Sequence, residues 1–301
     1  MLIRELIEKY VAAVHPMKPF GQSHLYTLQL LQELHIGAIH AEKLKAFDLL
    51  EHCRGRIAGT WRKKVCAATV TQDLTYLRGP FGFAKIGLDL PDVSLVAFVD
   101  VKPLLEKYNL IGKGRPRDRR PTEEEISRLI ALFSEPGRKF KMPMVALTEF
   151  QIVTCRRIGE TCRLRWGDVD FETKTYLIRD LKDPKHKIGN HGRSALLGRA
   201  WDIVMAQPRL TDSPDERIFP YRAKSVSAAY ARAKKELGIV GLRLHDSRRE
   251  GASRLFEQGY SVAEVMQMTL HKTPNLLMRV YTKLKAEDLH KGPASKQAAG
   301  S

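Results

Sequence analysis

The sequence predicts a mainly helical protein of two domains, with one small β-hairpin in the second. Three observations carry this reading. Apolar residues recur three and four positions apart through the first third of the chain, as on a helix face. A segment rich in Gly, Pro and Arg interrupts the pattern near residue 112. Beyond it, helical stretches resume and are broken by one short run rich in β-branched and aromatic residues, which a second short run can pair with. A chain of 301 residues has room for about two ordinary domains, each with its own core.

In order along the chain, Leu28, Leu30, Leu31 and Leu34, then Leu44, Phe47, Leu49 and Leu50, mark helices of a first domain over 1–112. Val70 to Phe83 begins as an amphipathic helix that Gly79-Pro80 should interrupt. Residues 113–120 are a basic linker, in which Lys113, Arg115, Arg117, Arg119 and Arg120 would attract phosphate. The second domain is expected over 121–290. Thr122 and Glu125 form a capping box that starts its first helix, through Leu132 and Phe133. Met142 to Val153 reads as a buried helix, followed by a turn at Cys155 to Arg157 and a short helix from Ile158 to Trp166. Thr173 to Asp180 has strand character, and Arg193 to Leu197 can return antiparallel to it, which puts Lys182 at or near a hairpin. Helices are then expected from Ser225 to a stop at Gly238, from His245 to a stop at Gly259, and from the Ser261/Glu264 cap to Met268. Tyr281 lies on a further helical or irregular segment, and the small, polar residues 291–301 read as a disordered tail.

Composition limits what such a protein can do. Lys and Arg number 51 against 34 Asp and Glu, a net charge of +17, and the pI is about 9.8, so a polyanion is the expected partner. The basic residues are spread over folded sequence instead of being gathered in a tail. No apolar run reaches the roughly 18 residues of a membrane span, and the first residues lack the apolar core of a signal peptide. A cytoplasmic setting is expected. Cys53, Cys66, Cys155 and Cys162 form no CxxC pair and read as structural thiols of a reducing compartment.

Six residues of the second domain together suit phosphodiester chemistry: Arg157, Lys182, His245, Arg248, His271 and Tyr281. Tyr281 offers a nucleophile, the two Arg offer planar forks for non-bridging oxygens, and Lys and His offer proton transfer. Each alone is more often an ordinary surface or core residue. His245 and Arg248 gain weight as an i, i+3 pair, which shares one helical face. No cluster of metal-ligand residues accompanies the set, and no cofactor is expected.

These residues carry a resemblance. TCRRIGETCRLRWGDVD (154–170) resembles the arginine box of the tyrosine recombinases, or phage integrases, with Arg157 as its catalytic arginine and Glu160 as its structural acid. LHDSRREGASRLFEQG (244–259) is similar to the family's HxxR box, Leu270-His271 to its Gly-His element, and Arg279-Val-Tyr281 to its nucleophile segment. Lys182 is the best match to the hairpin lysine, with Lys185 and Lys187 close by. GRPRDRRPTEEEISRL (114–129) resembles the interdomain linker and the first catalytic helix, and the closing KLKAEDL is similar to the bacterial branch that includes shufflon-type recombinases. The chain departs from the pattern in four places: Cys155 stands where Gly is usual, Thr269-Leu270 replaces a Gly-containing approach, Arg249 stands where His often is, and His271 to Tyr281 spans ten residues, one more than usual.

The resemblance implies a two-domain DNA clamp: a helical core-binding domain and an α+β catalytic domain. It implies a site-specific DNA recombinase, for integration, excision or inversion, acting without metal or ATP. Tyr281 would attack a scissile phosphate to form a 3′-phosphotyrosyl link, Arg157 and Arg248 would hold the phosphate, and Lys182 would protonate the leaving 5′-oxygen. His245 would assist proton transfer, and His271 would donate a hydrogen bond to the phosphate. The implied partners are double-stranded DNA with inverted-repeat recombination sites, three further copies of the chain in a tetramer at a Holliday junction, and accessory DNA-bending proteins. Residues 282–290 would dock on a neighbouring copy. A nicking and religating enzyme like the type IB topoisomerases and a catalytically silent DNA-binding homologue are the alternatives.

Overall fold

The computed structural model describes residues 1–114, 119–137, 140–181 and 189–281, with the side chains of 276 and 279–281 outside that description. The chain divides into two units, Met1–Pro116 and Arg117–Ser301. No helix among the described residues is long and apolar enough to cross a membrane.

The first unit is built from five helices: α1 (Ile3–Val14), α2 (Gln22–Glu33), α3 (Ala46–Ala58), α4 (Ala67–Gly87) and α5 (Val96–Lys107). Leu28, Leu30, Leu31 and Leu34 are buried, as are Leu49 and Leu50, because the three-and-four spacing puts them on the faces turned inward. Phe47, in the same pattern, is instead exposed in the first turn of α3. The break expected at Gly79-Pro80 does not occur, and α4 runs on as one helix of 21 residues. Leu74, Leu77, Pro80, Phe81 and Ala84 form a continuous buried face on both sides of the proline. Burying Leu77 and Phe81 contributes about 1.5–3 kcal/mol each, enough to offset the roughly 3 kcal/mol that an internal proline costs. This core also holds an ion pair, with Arg56 Nε donating to Asp73 Oδ2 at 2.8 Å.

The second unit surrounds α7 (Met144–Thr154), a largely buried helix. Before it lies α6 (Glu123–Phe133), where the expected capping box forms: Glu125 N donates to Thr122 Oγ1 at 3.1 Å and Thr122 N to Glu125 Oε2 at 2.9 Å. After it come the single turn α8 (Ile158–Thr161) and a three-stranded antiparallel sheet. The predicted hairpin is β2 (Thr175–Ile178) paired with β3 (Gly192–Ala195), with Tyr176 opposite Ser194. A two-residue strand, β1 (Val169–Asp170), adds to the other edge of β2. It is too short to leave an alternating pattern in the sequence.

The remaining helices are α9 (Arg199–Met205), α10 (Ala223–Glu236), α11 (Asp246–Glu257), α12 (Val262–Thr269) and α13 (Pro274–Tyr281). Three of these match the expected segments, stopped at Gly238 and Gly259 in left-handed conformations and capped by Ser261. The short α9 is an addition. Phe150 of α7, Tyr176 of β2 and Phe219 are fully buried together and form the centre of the core. A smaller core of Cys155, Ala252, Leu255, Val265, Met268 and Leu277 joins α11, α12 and α13 to the end of α7. That satellite core is what positions the site.

Candidate active site

Arg157 enters the site as the N-cap of α8, in extended backbone just after the buried helix α7 ends. Glu160, one turn on, holds it twice: Arg157 Nη1 donates to Glu160 Oε1 at 2.7 Å, and Arg157 N to Glu160 Oε2 at 3.2 Å. The same carboxylate lies 4.0 Å from Arg248 Nη1. Burial works against its charge, but Arg156, Arg157 and Arg248 prevail and hold its pKa below the usual range. One buried carboxylate thus brings two guanidinium groups to one place. Removing it would leave a buried Arg248 with no opposite charge, a loss of about 3–5 kcal/mol by analogy with broken buried pairs.

Arg248 sits in the first turn of α11, and its fork is held by two backbone carbonyls and a ring nitrogen. Nη1 donates to Cys155 O at 2.7 Å, and Nη2 donates to Thr269 O at 2.8 Å and to His271 Nε2 at 3.1 Å. Reaching Cys155 requires α11 to approach α7 closely, and Gly251 permits it. A Cβ there would lie 1.8 Å from Ile152 O and 2.9 Å from Cys155 Sγ. The Cys155 carbonyl is aimed by a left-handed backbone, φ 55° and ψ 27°. Leu270, just before His271, is left-handed too, at φ 53° and ψ 42°. These are the two positions where the sequence departs from glycine, and the glycine-like conformation survives at both. Each costs about 1–2 kcal/mol in a residue with a Cβ. Leu270 offsets its strain by covering Gly192 of β3, where an added Cβ would meet Leu270 Cδ1 at 2.7 Å.

His245 is the N-cap of α11, one turn before Arg248. Partial burial lowers its pKa, and the charges of Arg248 and Arg157 lower it further, so the ring is neutral near pH 7 and can accept a proton. His271 is pushed down to about 4, first by burial and then by Arg248, Arg157 and Arg156. Its Nε2 receives a hydrogen bond from Arg248, because arginine nitrogens only donate. The expected hydrogen bond from His271 to a phosphate therefore requires the ring to release Arg248 or to gain a second proton.

The six predicted residues are thus accounted for unequally. Arg157 and Arg248 meet at Glu160, with His271 on Arg248 and His245 within electrostatic reach of both arginines. Tyr281 ends α13, one turn beyond the buried Leu277, and the helix reaches it without a break despite the ten-residue interval. Lys182, Lys185 and Lys187 lie outside the described residues, as do Arg115, Arg117 and everything beyond Tyr281. Lys113 is exposed. Arg119 is bonded to Glu125. Arg120 donates to Glu250 at 2.8 Å and to Glu257 at 2.7 Å, both on α11. Arg254 donates to the same Glu250 at 2.9 Å.

Two contributors have no signal in the sequence. Arg156, fully buried beside Arg157, donates to Thr154 O at 3.0 Å and to Met268 O, which ties the arginine box to the end of α12. An arginine next to a motif arginine in a basic protein reads as one more surface cation. Thr269 bonds the His271 ring, and nothing in its type distinguishes it from a helix-end threonine. Beside α8, a shallow depression lined by Arg163, Arg217, Tyr221, Arg222 and Lys224 extends the positive surface.

Known proteins resemble this chain in sequence and in fold. The chain is 26% identical over 293 residues to a shufflon-specific DNA recombinase of Escherichia coli, covering 96% of this chain and 71% of that protein. It is 28% identical over 184 residues to a putative integrase/recombinase of Haemophilus influenzae, covering 59% of this chain and 58% of that one. Among solved structures, an integrase of the transposon Tn1549 in complex with circular intermediate DNA has the same fold, with a TM-score of 0.69 at 14% identity, covering 96% and 98% of the two chains. A lambda integrase tetramer bound to a Holliday junction gives 0.65 at 14%, covering 91% and 78%. The model of the phage integrase family matches residues 119–288, more than half of the chain and every residue of the site just described, and the protein belongs to that family, the tyrosine site-specific recombinases.

Proposed function

We propose that this chain cuts and rejoins DNA at specific sites through a 3′-phosphotyrosyl intermediate, with Tyr281 as nucleophile. The observation that carries the reading is the convergence of Arg157 and Arg248 on the single buried carboxylate Glu160, with His245 and His271 beside them. Two fixed forks preorganise positive charge for the non-bridging oxygens of a phosphate, so little reorganisation is needed as the transition state develops. Neutral His245 would take the Tyr281 proton. Lys182 would protonate the leaving 5′-oxygen. The energy of the phosphodiester bond is kept in the phosphotyrosyl link, so a 5′-hydroxyl from a second duplex can reverse the step without ATP.

The substrate would be duplex DNA carrying inverted repeats, gripped by the helical domain, the basic linker and the catalytic domain, with accessory DNA-bending proteins as further partners. Strand exchange between two duplexes would proceed in a tetramer through a Holliday junction. That assembly is the one in which the related lambda integrase was seen, which supports the reading.

A suicide substrate tests it. DNA carrying the inverted repeats that flank the encoding locus, nicked close to the scissile phosphate, should trap the protein as a covalent complex. Tyr281→Phe should abolish the complex and retain binding. Binding without any covalent complex would overturn the reading in favour of a silent homologue.

A further inference from the structure

His271 is held in a chain of hydrogen bonds whose proton positions are all forced. Arg248 Nη2 can only donate, so His271 Nε2, at 3.1 Å, must accept and carries no proton. The ring proton of the neutral form is then on Nδ1, which donates to Thr269 Oγ1 at 2.7 Å. Thr269 Oγ1 in turn directs its own hydrogen to Val265 O at 2.7 Å, one turn back along α12. The other tautomer would set two donors against each other at Arg248 and leave Nδ1 competing with Val265 for the threonine hydrogen.

The backbone carrying this chain is itself pinned. Met268 O accepts from Arg156 Nη2 and from Ser194 Oγ, the latter at 3.2 Å, and Thr269 O accepts from Arg248 at 2.8 Å. Thr269 is fully buried, and Leu270 holds the left-handed turn that swings His271 back over the threonine. A hydroxyl at 269 is therefore the group that faces the ring from its own helix end. Arg248 faces it from α11, and Arg156, Arg157 and Glu160 bear on it electrostatically from the arginine box and α8.

We infer that Thr269 is a positioning residue that fixes His271 as the Nδ1–H tautomer, so that Nε2 holds the Arg248 guanidinium in its place in the site. The inference rests on the recombinase site proposed above. It assigns to Thr269 an action through His271 and Arg248, with no contact to DNA.

The test begins with the protein alone. Nitrogen-15 NMR of histidine-labelled protein, with the His271 signals assigned through His271→Gln, should show protonated Nδ1 and bare Nε2. A bare Nδ1 would overturn the inference whatever the protein does to DNA. In single-turnover cleavage of the suicide substrate, Thr269→Val should slow covalent-complex formation about tenfold with DNA affinity unchanged, the loss of one buried hydrogen bond. Thr269→Ser, which keeps the hydroxyl, should restore both the tautomer and the rate. Cleavage by Thr269→Val at the normal rate, or Thr269→Ser as slow as Thr269→Val, would sink the idea. Should the valine variant not fold, the wild-type tautomer and the serine variant still decide it. Absence of any covalent complex from the wild type would fault the recombinase reading and leave the tautomer result standing.

Discussion

The electrostatics of single residues set how the site responds to pH. In the proposed reaction His245 must be neutral to accept the Tyr281 proton, and burial with Arg248 and Arg157 keeps its pKa below that of a free imidazole, about 6.5. Cleavage under single-turnover conditions should fall with acid along a limb centred below pH 6.5; a limb centred above pH 7 would remove His245 from the role. His271, pushed down to about 4, adds a stability effect of the same sign. The unfolded chain binds its proton first, so the stability held by the neutral ring is complete above about pH 6.5 and is lost as pH falls toward 4. That Arg157, His245, Arg248 and His271 would lie together was legible in the sequence because they fall in segments that resemble the family's motifs. What was not legible is how their protons are placed. Which nitrogen of His271 is bare depends on Thr269 and Arg248, which are brought to it by a turn at Leu270 that the sequence marks only as a missing glycine.

At the scale of elements, the site depends on how closely two helices approach. α11 delivers His245 and Arg248, α7 ends at Cys155 with Arg157 capping α8 just after it, and Gly251 is the contact that lets Arg248 reach the Cys155 carbonyl. Gly251→Ala should therefore act on geometry although alanine is the better helix former. With Ile152 O only 1.8 Å from the added Cβ, the helices must part, and overpacking of this kind costs about 1–3 kcal/mol. Thermal melts should show a lower Tm, and covalent-complex formation should fall by at least about tenfold as Arg248 is drawn off its carbonyl; a variant with normal Tm and rate would show that the approach is not critical. Most helices here were readable from caps and periodicity: Thr122/Glu125, Ser261/Glu264 and the glycines at 238 and 259 mark real ends. Misreadings came where tertiary burial outweighs a local signal. Pro80 sits inside α4 because the buried face continues past it, and β1 exists only as a partner for β2.

For the molecule as a whole, the net charge of +17 does not act as one uniform attraction, because part of the basic surface is spent internally. Arg119 and Arg120, the described arginines of the basic linker, are engaged by Glu125, Glu250 and Glu257, and Arg254 is bonded to Glu250 and Glu123. These pairs brace the start of α6 against α11. The depression beside α8 instead gathers Arg163, Arg217 and Arg222 around an open surface. Two classes of arginine should then separate in a salt titration of DNA affinity followed by fluorescence anisotropy. Each phosphate contact that is lost reduces the slope of log K against log salt by about one. Arg217→Ala and Arg222→Ala should each flatten the slope by that amount and weaken binding to all sequences alike. Arg120→Ala should leave the slope unchanged and lower the Tm, since it strips the nearly inaccessible Glu250 carboxylate of a partner. A flatter slope for Arg120→Ala with an unchanged Tm would return that residue to the DNA-facing linker that the sequence suggests. It would also mean that the carboxylates release it when DNA binds.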